Sequence, residues 1–98
     1  MQLIEFTQAA IEAIAKFRET LDVPDDYHLR IGIKQKNAAN KGLFVGFDQK
    51  TEKDKEELIA GIHVIYHPGQ ALFFAGMIID FQEKENRKGF VLIEKNKR

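Results

Sequence analysis

From Tyr27 onward the apolar residues of this chain fall at alternate positions, and nothing between the alternating stretches is long enough for a helical crossover. Tyr27, Leu29, Ile31 and Ile33 share one side of an extended segment, and His28, Arg30, Gly32 and Lys34 share the other. Leu43, Val45 and Phe47 repeat the pattern after a polar stretch, 35–41, which reads as an exposed, mobile loop. Leu58, Ile59 and Ala60 and the run 62–66 flank Gly61, the signature of a tight turn between strands. Pro68 and Gly69 break the chain, and 70–75 is expected to be one helical turn or a bend. Residues 77–81 and 90–93 supply two more strands, joined by a charged connector, 82–88, that reads as a solvated hairpin loop. Residues 3–6 form a short apolar entry suited to an edge strand. Strands joined by such short connections pair antiparallel or in mixed sheets.

Only one stretch has helical periodicity. Across 8–21, Ala10, Ile14, Phe17 and Leu21 recur at steps of four, three and four with Ile11 beside them. Thr7 ahead of it can accept a hydrogen bond from a free helix N–H, and Pro24 ends it. The pattern predicts a helix packed on the sheet through Ile11, Ile14, Phe17 and Leu21. The expected fold class is α+β, mainly β, with this helix on an antiparallel or mixed sheet of about six strands. With 98 residues, one domain spanning 1–98 is expected.

Fifteen basic residues balance fifteen acidic ones, and the two signs are interspersed. That removes the basic stripe a nucleic-acid binder presents. No apolar run approaches the ~20 residues that span a bilayer. The first six residues lack the basic start and long apolar stretch of a secretion signal, so the expected location is the cytoplasm.

Set in order, several segments resemble the IscA/HesB family of A-type iron–sulfur cluster carriers over nearly the whole chain. Thr7-Gln8-Ala9-Ala10 is similar to the family's opening, and Leu29-Arg30-Ile31-Gly32-Ile33-Lys34 to its LRxGVK strand. The run from Leu72 to Phe81 resembles its LLYLDGxxIDY segment, and Gly89-Phe90-Val91-Leu92 its GFxF strand. The resemblance implies a HesB-like domain and work in iron–sulfur cluster assembly. The departures fall on the chemistry. Where the family has a Gly-Cys-Ser-Gly loop, ungapped counting places Ala38 at the cysteine position, and a two-residue shift anchored on Gly42 places Asn40 there. Where the family has NPN and a Cys-Gly-Cys tail, this sequence has Glu94, Lys95 and Asn96 and no cysteine before Arg98.

The chain contains no cysteine at all. Iron in such clusters is held by soft, anionic thiolate sulfur. Alanine supplies no donor and a carboxamide only a hard, neutral one, so no cluster, cofactor or metal is expected. If the ligands alone were lost, a vacated site is expected between the Ala38 or Asn40 position and 94–98.

Of the remaining metal-binding residue types, His63 and His67 lie four apart, roughly 13 Å along an extended strand. That is too far to share an ion unless the chain bends near Pro68. Imidazole with Asp48 or Asp80 could hold ferrous iron or zinc, though a half-exposed strand histidine is the commoner case. Leu72, Phe73, Phe74 and Met77 read chiefly as core, with room for one of them at a homodimer contact. Asp25, Asp26 and the charged run 52–57 read as solvated faces.

No serine or cysteine nucleophile and no phosphate loop is present, so no catalytic residue and no enzyme is expected. The first functional reading is a HesB-like interaction or accessory protein that lacks cluster ligation. Its expected partners are proteins, a second copy in a homodimer or a cysteine-bearing relative. The alternative is a small-ligand or His/carboxylate metal-binding module that uses the polar stretch 35–41 as its mouth. A third is an interaction role unrelated to iron.

Overall fold

The structure, a computed structural model, describes residues 3–37 and 40–95, leaving the side chains at 35–37, 40 and 41 undescribed. Its strands are β1 (Ile4–Phe6), β2 (His28–Asn37), β3 (Asn40–Asp48), β4 (Lys55–Ile59), β5 (Ile62–Tyr66), β6 (Met77–Lys84) and β7 (Arg87–Glu94). Helix α1 (Gln8–Thr20) follows β1, and a 3-10 turn (Pro68–Gln70) runs into the single-turn helix α2 (Ala71–Phe74). The architecture is α+β and mainly β, as the alternation predicts, but the strands divide between two sheets. One has the order β1-β6-β7, the other β3-β2-β5-β4. Each is mixed, because β1 runs parallel to β6 and β2 parallel to β5.

The α1 cap follows the sequence. Thr7 Oγ1 accepts from Ala10 N at 3.1 Å, and the same hydroxyl donates to Asp80 Oδ1 at 2.6 Å. The helix start is thereby tied to β6. Asp22 takes φ 52° after the last turn, where Leu21 N–H closes on Phe17 O.

The buried face of α1 is shifted from the expected one. Ala10, Ala13 and Ile14 are buried, whereas Phe17 is 36% and Leu21 64% exposed. Small alanines let the first half of the helix approach β6 closely, whereas Phe17 and Leu21 border open clefts between the helix and the sheets. Phe17 still meets Phe81 edge-on at 5.8 Å and Phe90 at 6.2 Å.

Between the sheets lie Ile4 and Ile79 from one, Leu29, Ile31, Ile59, Val64 and Tyr66 from the other, and Phe74 of α2, all buried. The polar stretch 35–41 is not a free loop. Strands β2 and β3 take up its described residues, pairing Gln35 with Lys41 and Asn37 with Asn40 across a register shift, while 38 and 39 lie outside the described residues. The 82–88 connector is likewise mostly strand, with Lys84 paired to Arg87. Glu85 takes φ 49° in the two-residue turn between them.

Strand β2 pairs with β5 only at Leu29–Val64 and Arg30–Ile65. Beyond that point Gln70 takes over the ladder. Its Oε1 accepts from Ile33 N at 3.1 Å and its Nε2 donates to Ile33 O at 3.2 Å. Gly32 permits this approach, since a Cβ there would lie 2.7 Å from Gln70 Oε1.

Two stability outcomes follow. Gln70→Ala strands two half-buried backbone groups and should cost about 1–3 kcal/mol in urea unfolding. Ile14→Ala should cost about 2–5 kcal/mol, and Phe17→Ala less than Ile14→Ala despite its larger side chain, because Phe17 is already part-solvated.

Candidate functional site

The position implied by the resemblance falls, in the sequence, at the turn between β2 and β3 and after the end of β7. Ala38 and residues 96–98 lie outside the described residues. Asn40 opens β3 opposite Asn37, and Glu94 ends β7 opposite Met77. The nearby wall is apolar. Ile33 and Leu43 of the hairpin, Phe73 of α2 and Phe90, Val91 and Leu92 of β7 line an open cavity of about 380 Å³. Leu72, beside it in sequence, is 92% exposed and Phe73 44%. Of the four residues read chiefly as core, Phe74 is buried and Met77 half-buried, while Leu72 and Phe73 face outward. Such a cleft offers shape and apolar surface but no donor for iron.

The conspicuous charged cluster lies elsewhere, on the outer face of the four-stranded sheet. Arg30 donates from Nη1 and Nη2 to Asp54 at 2.9 and 2.6 Å and from Nε to Asp48 at 2.9 Å. Asp54, with only 3% of its side chain exposed, also accepts from Thr51 N and Oγ1. The Arg30 hydrogen bond is the main force holding the Asp54 carboxyl well below the usual carboxylate range. Asp54 therefore departs from the solvated reading of 52–57. A lone acid in a charge run carries no signal of burial; its partner, 24 residues away, becomes visible only in three dimensions. This network latches the β3–β4 connection and commits both carboxylates to Arg30. The fork-on-carboxylate geometry is structural.

Asp80, considered as a ligand, is spent on Thr7 and on Gln82 Nε2 at 3.1 Å. Those bonds, Thr7 first, hold its carboxyl below its ordinary value. Asp48 is spent on Arg30 and on Gln49 N. His67 leaves the strand and caps the 3-10 turn, its Nδ1 accepting from Gly69 N at 3.0 Å. It does not share a strand face with His63. His63 instead stacks on His28, ring centroids 5.3 Å apart, and bonds Glu56 Oε2 through Nδ1 at 2.7 Å. Among the described residues, no three His, Asp or Glu side chains gather as a metal-binding group. No helix among them is long and apolar enough to cross a membrane.

The Asp54 carboxylate makes stability depend on acid. Because its folded pKa is depressed, its contribution is complete above the ordinary carboxylate range near pH 4 and is lost as pH falls below it. Asp54→Asn should lower stability at pH 7 by about 3 kcal/mol and flatten the acid limb of the stability–pH curve in urea titrations.

No family model matches the sequence, and no curated protein matches it. Solved structures do. Escherichia coli SufA, involved in the biosynthesis of iron–sulfur clusters, superposes with a TM-score of 0.72 at 19% identity, covering 97% of this chain and 82% of SufA. IscA in its structure with a [2Fe-2S] cluster gives 0.70 at 17% identity, covering 95% of this chain and 83% of IscA. At these identities the likeness establishes shape rather than chemistry. The chain has the IscA/HesB-like fold, and has it without a single cysteine.

Proposed function

We propose that the chain is a non-enzymatic accessory protein of iron–sulfur cluster assembly, acting through protein contacts and not by carrying a cluster itself. The observation that carries this reading is the conjunction of an IscA-like fold with a cysteine-free sequence. The fold supplies the shape that cluster-assembly proteins use, and the sequence removes the thiolates that their chemistry needs. The partner is a second copy or a cysteine-bearing protein of the same fold. An exposed apolar strip is the feature suited to such a contact, with Leu72 outermost beside the cleft lined by Ile33, Leu43 and Phe90.

Anaerobic reconstitution with ferrous iron and sulfide, read by absorbance and metal analysis, should leave the protein colourless and without stoichiometric iron. A stable chromophore with bound iron would overturn the reading. In sedimentation with a cysteine-bearing carrier of this fold, the chain should form a complex that Leu72→Asp weakens by about tenfold or more, as substitution at a central contact does. Absence of self-association and of any complex would equally count against it.

A further inference from the structure

His28 and His63 face solvent side by side on the outer side of the four-stranded sheet. The parallel pairing of Leu29 with Val64 sets them there, since each histidine is one residue earlier on its strand. Their rings lie 5.3 Å apart and 24° from parallel. Glu56, on the adjacent β4, reaches His63 diagonally, because its own register partner is Ile65. A carboxylate only accepts, so the 2.7 Å contact with Glu56 Oε2 puts the proton on His63 Nδ1. The lone pair of that ring is then on Nε2, away from Glu56. Lys50 Nζ stands 3.7 Å from the other Glu56 oxygen and steadies the carboxylate. With its side chain 55% exposed, the His63 ring is open to an incoming ion.

We propose that His28 and His63 form a two-imidazole binding site for a late first-row divalent cation, with Glu56 orienting His63 and water completing the coordination. The chemistry is that of imidazole, a borderline ligand favoured by Ni2+, Cu2+ and Zn2+. Metal–nitrogen bonds of about 2.0–2.1 Å bring two ligating nitrogens within about 3–4 Å of each other. Neighbouring strands about 4.8 Å apart place the two rings side by side, and rotation of both side chains turns one nitrogen of each toward a shared ion. The carboxylate behind a ligating imidazole is the arrangement that fixes its tautomer and raises its basicity. Asp48, which pairs with His28 in register, is held by Arg30 and Gln49, so water is the source of the remaining ligands. The site lies on a different face from the apolar cleft and stands independently of the role proposed for the cleft.

The test is calorimetric titration of the full chain with Ni2+, alongside His28→Ala, His63→Ala, Glu56→Gln and His67→Ala. All four positions are exposed or half-exposed, and circular dichroism verifies folding of each variant. The proposal expects one Ni2+ per chain, a loss of affinity of about tenfold or more for each of the first three substitutions, and none for His67→Ala. His67 serves as the control because it presents a histidine away from the pair. Should His63→Ala perturb the sheet, His63→Gln, which keeps bulk and polarity, must show the same loss. Failure of the wild-type chain to bind, losses below tenfold at His28 or His63, or an equal loss at His67 would each overturn the proposal.

Discussion

The two sheets share no strand, so their mutual placement rests on the apolar layer trapped between them. Phe74 is its keystone. It is fully buried on a helix of one turn and meets Tyr66 edge-on at 5.9 Å, where Ile4 and Ile79 of one sheet approach Leu29 and Val64 of the other. Glu57 adds a polar fastening at the margin, accepting from Leu3 N at 3.0 Å and from Tyr66 Oη at 3.1 Å. Burial, seconded by Glu57, pushes the Tyr66 hydroxyl above its ordinary pKa and keeps it a donor. A large aromatic inserted between two curved surfaces fixes separation and angle at once, because interiors pack too densely to tolerate sliding. The placement of Ile33 and Leu43 against Phe90, Val91 and Leu92 around the open cleft is inherited from this layer.

Much of this was legible in the sequence, and the reasons for the rest are specific. Alternation at Leu29, Ile31, Ile33, Leu43, Val45 and Phe47 gave the inward face correctly, since period two is a property of the backbone itself. Gly61 marked its turn, where it and Ala60 both take positive φ. The helical period ends within a residue of α1, yet Phe17 and Leu21, expected on the buried face, are exposed. Periodicity says which residues share a side, but not how closely the opposing sheet packs beneath them. The stretch 35–41 looked like a loop because its side chains are polar, although an edge hairpin needs only backbone partners. Long-range pairings such as Arg30 with Asp54 and His28 with His63 leave no local pattern and required the register of β2 against β5.

The same division applies to function. Composition alone removed the thiolates, and the order of segments suggested the architecture that the solved structures then matched. What the surfaces do in their place depends on side chains brought together from distant positions. Two such surfaces stand apart on the molecule, one apolar and one carrying the stacked histidines. The fold, here without a cysteine, therefore carries surface features of its own.

The short seam between β2 and β5 divides the four-stranded sheet into two hairpins, β2–β3 and β4–β5, each closed by sequence-local contacts. Two residue pairs, the Gln70 amide, the stacked His28 and His63 and the Arg30–Asp54 fork bridge the halves. Cooperative units in proteins follow such divisions. Amide protons along the seam should therefore exchange with solvent through an opening smaller than global unfolding, while those inside each hairpin wait for the larger event. Acid strong enough to protonate Asp54 releases the fork and leaves the backbone pairs of the seam in place. The four-stranded sheet would then open as two preformed ribbons rather than strand by strand.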